Sequence, residues 1–262
     1  MKTLFLISLT VFLLSCADEF VPDNPVDPEN PDYIPPIVSI VSGLSENEIL
    51  DVERFTITFS GNELSMLFRT KLDTNDWTGW FSSTSQTVDF LDEGNHDFYV
   101  QGRYTTGDTS NIVWVPFEVD AVQGPALMFL PRRHIVSIGE KIDFKITAEE
   151  VYNLAGAEFH LDYDPSLVSV ESVVSGDIFS TSGSPIFIYE DKPESGLLTI
   201  TTATWGEGQS SYTGTAVVAS IEFEVQSIGE IDIIFDGSEI FRNSENETIT
   251  INETIHGRIE SN

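Results

Sequence analysis

From Ala157 to Tyr163 apolar and polar side chains alternate without a break, Ala157-Glu158-Phe159-His160-Leu161-Asp162-Tyr163, and the run stops at Asp164-Pro165. A period of two puts Ala157, Phe159, Leu161 and Tyr163 on one face of a strand and Glu158, His160 and Asp162 on the other. A helix would scatter the same residues around its circumference. The pattern recurs in Phe55-Thr-Ile57-Thr-Phe59, Ile142-Asp-Phe144-Lys-Ile146 and Ile221-Glu-Phe223-Glu-Val225. Turn clusters such as Ser60-Gly61-Asn62, Asp73-Thr-Asn75-Asp76 and Ser137-Ile-Gly139 punctuate these runs. Short alternating strands with regular turns predict an all-β chain.

The 262 residues give room for two ordinary domains. The strand pattern divides them into 37–120 and 125–262, each read as a β-sandwich. Apolar residues make up 40% of the chain, enough for real cores, and its one cysteine excludes an internal disulfide. Twelve Lys and Arg stand against 43 Asp and Glu, for a net charge of −31. Such a balance argues against nucleic acid, because it offers little to neutralise phosphates, and against electrostatic attachment to anionic lipid.

Residues 1–15 read as a signal peptide: a Lys2 start, then the apolar run Leu4 to Leu14, shorter than the about 20 residues a spanning helix needs. The run ends Leu13-Leu14-Ser15-Cys16. This resembles the lipobox of bacterial lipoproteins, with Leu14 where Ala or Ser is more usual. The resemblance implies lipidation of Cys16, membrane attachment through that lipid alone, and a place at the outer membrane or cell surface. Two or more acyl chains would hold the protein there stably. Residues 16–36 form an acidic linker with six prolines, six acids and no base. Pro22, Pro25, Pro28 and Pro31 recur every third residue, as in polyproline II, and at about 3.1 Å per residue the expected spacer reaches roughly 60 Å.

In the first domain the stretch Leu91-Asp-Glu-Gly94-Asn-His96-Asp-Phe98-Tyr-Val100 resembles the Leu-x-x-Gly-x-Tyr-x-Phe-x-Val run of fibronectin-III and Ig-like domains. His96 stands where those domains usually carry a corner Tyr, so the side chain that makes the corner hydrogen bond is replaced. Trp77 and Trp80 are either sandwich cover or a platform for a sugar ring. The domain is read as a spacer.

The second domain carries a fuller resemblance. Gly139-Glu140 opens an alternating strand, Ala155-Gly156-Ala157-Glu-Phe159-His-Leu161-Asp-Tyr163-Asp164-Pro165-Ser-Leu167-Val-Ser-Val170 follows, and Ile221-Glu-Phe223-Glu-Val225 comes late. In that order these elements resemble the cohesin family. The resemblance implies a nine-stranded jelly roll that binds a calcium-loaded dockerin module, in polysaccharide degradation or surface assembly. Carried onto this chain, the partner-facing residues are Gly156, Glu158, His160 and Asp162, with Tyr189, Trp205 and Glu207 nearby. Gly156 and Glu158 replace the Asn and Asp of well-known members, which points away from the usual dockerin specificity. Direct binding of polysaccharide by this second sandwich is the alternative.

Nothing in the sequence assembles catalytic chemistry. His96, His134, His160 and His256 are far apart in sequence, without metal-ligand spacing. Gly-x-Ser-x-Gly and phosphate-loop motifs are missing, and Asp162-Tyr-Asp164 lacks the central Gly of a calcium loop. With 43 acids, carboxylate pairs arise by chance and say nothing of glycosidase chemistry. The expectation is a binding protein that is not an enzyme and has no cofactor or metal of its own.

Overall fold

The computed structural model describes residues 22–181, 185–205 and 211–262. Cys16 and Glu207 lie outside them. All regular structure among the described residues is strand.

The first domain is built from β1 (Val38–Ser42), β2 (Glu48–Leu50), β3 (Phe55–Gly61), β4 (Leu67–Leu72), β5 (Ser85–Val88), β6 (Gly94–Arg103) and β7 (Val113–Val119). They form two sheets, β1-β3-β5 and β2-β7-β6-β4. The expected alternation is what packs them: Ile57 and Phe59 from one sheet, and Phe68, Phe98, Val100 and Phe117 from the other, are almost fully buried in a shared core. Near the start of β6, His96 makes a bond of the kind expected of a corner Tyr. Its Nε2 donates to the Asp92 carbonyl at 2.9 Å, and its Nδ1 lies 2.8 Å from the Asp73 carboxylate.

The stretch before β1 departs from the expected spacer. Backbone N–H groups of Asp27, Asn30 and Tyr33 donate to the carbonyls three residues back, at 2.9–3.0 Å. Asn24, Asp27 and Asn30 each accept a bond from the N–H two residues on. The period of three therefore belongs to repeated Asx-Pro turns, with Pro at the second turn position, and not to polyproline II. The coil packs on the first domain: Tyr33 meets the Tyr104 ring edge-on at 6.4 Å, and Thr106 Oγ1 donates to the Val26 carbonyl. Residues 22–33 thus add little reach.

The second domain comprises β8 (Ala126–Leu130), β9 (Arg133–Val136), β10 (Lys141–Asp162), β11 (Val168–Ser175), β12 (Pro185–Lys192), β13 (Leu197–Thr204), β14 (Tyr212–Val225), β15 (Gly229–Phe235), β16 (Ile240–Asn243), β17 (Thr248–Ile249), β18 (Glu253–Ile255) and β19 (Gly257–Ser261). Among the described residues that is three strands more than the expected nine; the short β16, β17 and β18 make up the difference. The 22-residue β10 organises the sandwich by belonging to both layers. Its first half, Lys141 to Ala148, lies between β14 and β8. Bulges between Ala148 and Leu154, with Glu150 and Asn153 at positive φ, bend the strand. The second half, Gly156 to Asp162, lies against β13 on one side and β16 then β15 on the other. Between the layers Phe144, Phe159, Phe223 and Phe241 are fully buried.

The two sandwiches meet at a charged joint. Arg132, only 2% exposed, donates to Glu53 through Nη1 and to Glu93 through Nη2 (2.8 Å), while its backbone N–H donates to Asp92 Oδ1 at 2.7 Å. Beside it Arg133 pairs with Asp89 at 3.2 Å and lies over the Phe90 ring.

Candidate functional site

The second half of β10 presents one face to the core and one outward, as the alternation requires. Ala157, Phe159, Leu161 and Tyr163 are 0–6% exposed, while Gly156, Glu158 and His160 are half-buried and Asp162 is exposed on the opposite face. Directly opposed residues of an antiparallel ladder share a face, so the register extends this outer surface across three strands. Gly156 faces Ala203, which faces Ile186. Glu158 faces Thr201, which faces Ile188. His160 faces Thr199, which faces Glu190. On the far side of β10, Gly156 and Glu158 face Arg242 and Ile240.

Hydrogen bonds hold the polar members still. Thr201 Oγ1 donates to Glu158 Oε2 at 3.1 Å. His160 Nδ1 lies 2.7 Å from Ser238 Oγ and 3.5 Å from Asp236 Oδ2. Burial pushes the Asp236 carboxyl up, but bonds from the Ser238 hydroxyl and amide more than offset it and hold the group below the usual range. On the core-facing side of the same strand end, burial and then the bond from Tyr163 Oη to Asp191 Oδ1 (2.6 Å) push the phenol well above its ordinary value. Tyr163 therefore acts as a fixed donor.

The site residues expected from sequence separate into groups. Gly156, Glu158, His160 and Asp162 stand together on the outer face. Tyr189 is 49% exposed, but it faces Ile200, a core residue, and so lies on the inner side of the edge strand β12. Trp205, 72% exposed, follows the end of β13. Sequence reading missed Ile188 and Ile240, exposed by 61% and 41% on the outer rows. Ile186-Phe187-Ile188-Tyr189 is apolar at both parities, so the alternation rule assigns it no face, and only pairing with β13 does. Gly156 leaves room on the surface: a Cβ there would meet the Ala203 Cβ at 3.4 Å. Among the described residues, no Trp, Tyr or Phe stands on these outer rows, and no group of three or more His, Cys, Asp or Glu side chains is placed to hold a metal. The surface offers apolar side chains ringed by fixed polar groups, the anatomy of a protein-binding patch.

Trp77 and Trp80 of the first domain have their rings engaged by cations. Arg69 Cζ lies 4.6 Å from the Trp77 centroid and 4.8 Å from that of Trp80, and Arg103 Cζ lies 4.4 Å from Trp80.

Comparison with known proteins gives the second sandwich its family. The family model described as "Cohesin domain" matches residues 135–260. No curated protein matches the chain. Among solved structures, the chain is similar to a non-cellulosomal cohesin from the hyperthermophilic archaeon Archaeoglobus fulgidus, at 14% identity and a TM-score of 0.43 over 52% of this chain and 90% of that one. It is similar to the third cohesin of ScaC, solved with the ScaB dockerin, from Acetivibrio cellulolyticus (20%, TM-score 0.45, 52% and 97%). It is also similar to a type I cohesin–dockerin complex of OlpA from Clostridium thermocellum (18%, TM-score 0.45, 52% and 98%). With its jelly-roll layers and the family match over nearly all of its strands, the second sandwich of this chain is a cohesin domain.

Proposed function

We propose that the cohesin domain captures a dockerin-type protein module on the outer face of β12, β13 and the second half of β10, in polysaccharide degradation or surface assembly. The observation that carries this reading is the row Ile188, Thr201, Glu158, Ile240: two exposed isoleucines flank a carboxylate already tied to a threonine. Burying exposed branched side chains drives association at roughly 25 cal/mol per Å², and the fixed polar groups set register. Direct polysaccharide binding by this face is less well supported, since the row holds no ring on which a sugar would stack. The chain is read as a lipoprotein tethered through Cys16 at the cell surface, on the strength of the Leu13-Leu14-Ser15-Cys16 sequence.

The test is capture of calcium-loaded dockerin modules by the immobilised chain, with and without EDTA. Retention that EDTA abolishes, and that Ile188→Asp weakens by about tenfold or more as expected for an exposed apolar anchor, supports the reading. Full retention by the Ile188→Asp chain would move the interface elsewhere.

A further inference from the structure

The outer face of the first domain's four-stranded sheet has a composition unlike the rest of the molecule. Three of the four tryptophans and three of the twelve cations in the chain gather there: Trp77, Trp80 and Trp114 with Arg69, Lys71 and Arg103. Lys71 on β4 faces Tyr99 on β6, which faces Trp114 on β7, so the three form one row across the sheet. Two inter-strand spacings make that row about 10 Å long. Lys71 Nζ lies 4.5 Å from the Tyr99 ring, and Trp77 meets the same ring at 6.4 Å. The cation–π contacts of Arg69 and Arg103 with Trp77 and Trp80 continue the array.

Two observations say that this is more than cover for the sheet. Trp114 is 54% exposed, yet its Nε1 is fixed to Asp97 Oδ1 at 2.8 Å; an ordered, open indole adds little to the core. In a chain with 43 acids, Arg69, Lys71 and Arg103 are in no ion pair among the described residues. Arg69 is positioned by a neutral group instead, its Nε and Nη2 both donating to Gln101 Oε1 at 3.0 and 2.6 Å. Gln101 is itself locked by donating to the Ser110 carbonyl. A guanidinium held over an indole and fixed by a neutral partner is positioned before a ligand arrives and can still offer N–H groups to an anion. Charges beyond about 8 Å are largely screened at physiological salt, and Asp97, an acid within the face, is engaged by the Trp114 Nε1–H.

We propose that this face binds an acidic polysaccharide, a chain bearing uronate carboxylates. Trp114, the open indole, takes a sugar ring, and Arg69, Lys71 and Arg103 take the carboxylates. The domain that sequence suggested as a spacer would then hold the protein on anionic glycan while the cohesin domain engages its own partner.

Affinity electrophoresis of the full chain in gels containing polygalacturonate, an uncharged cellulose ether or a single-stranded oligonucleotide tests this. Retardation by polygalacturonate alone is expected, weakening as salt is raised. Trp114→Ala and Lys71→Gln, both surface changes, should each raise the apparent Kd about tenfold, as loss of an anchoring aromatic or charge does. No retardation by polygalacturonate, equal retardation by the uncharged polymer, preference for the oligonucleotide, or unchanged binding in both folded variants would each overturn the proposal.

Discussion

Arg132 is the residue whose removal should most clearly show how the two domains are joined. Arg132→Met keeps most of the side-chain volume and deletes the charge. Breaking a buried pair by removing one partner costs about 3–5 kcal/mol, mainly through the charge left behind. Glu53 is 54% exposed at its side chain and returns to water, whereas Glu93 at 13% does not. Arg132 Nε has no acceptor among the described residues, so its loss gives back about 1 kcal/mol. The expected deficit in urea denaturation of the full chain is therefore about 2–3 kcal/mol. Its pH dependence follows from Glu93. Burial raises that carboxyl above its usual value, and the attraction of Arg132 and the Ala121 and Val122 amides only partly offsets this. Between the unfolded and the folded value the native state binds a proton that the unfolded chain releases, so stability from this group rises as pH falls through that window. Without Arg132 the carboxyl is raised further, and the deficit should shrink on going from pH 7 towards 5. Adding Glu93→Gln should remove about half or more of the deficit at pH 7 by taking away the stranded charge. A stability for Arg132→Met within about 0.5 kcal/mol of the parent, or a deficit that neither acid nor Glu93→Gln reduces, would refute the electrostatic joint.

His96 makes its own pH prediction. Burial favours neutral imidazole, but the bonds to the Asp73 carboxylate and the Asp92 carbonyl outweigh it and raise the folded-state value. Its contribution should be complete below the unfolded value of about 6.5 and fade as pH rises through the folded value, so His96→Gln should flatten stability against pH from about 6.5 upwards in thermal melts. Tyr163→Phe should cost about 1 kcal/mol in denaturation, the net worth of the hydroxyl's bond to Asp191; no change would mean that water replaces it fully. Gly257→Ala should cost about 1–3 kcal/mol by overpacking, because a Cβ there would meet the Phe129 ring at 2.8 Å in a fully buried part of the core; a neutral result would mean that the ring shifts freely.

The strand from Ala157 to Tyr163 was legible because its period is clean, and one clean period assigns both faces at once. The alternation failed at β12, where four apolar residues in a row leave the face to be decided by a neighbouring strand far away in sequence. The prolines before β1 misled for a different reason. A repeat of three fits both polyproline II and a chain of Asx-Pro turns, and the Asn24, Asp27 and Asn30 side chains choose the turns by capping the backbone two residues on. Near the start of β6, imidazole Nε2 donates to the carbonyl four residues upstream, a bond of the kind expected of a corner Tyr at that position. The joint at Arg132 was invisible in sequence, and of the cation–aromatic face only Trp77 and Trp80 stood out, since joint and face both depend on which distant residues the sheets bring together.

A dockerin module is proposed to dock on the outer face of β12, β13 and the second half of β10. The most direct measurement is chemical-shift mapping of the isotope-labelled chain titrated with a calcium-loaded dockerin module. Shifts confined to residues 156–162, 186–192, 197–203 and 240–242, and lost when EDTA is added, are the predicted result. Shifts clustered on β11 and β14 or on the first domain, with this face silent, would contradict it.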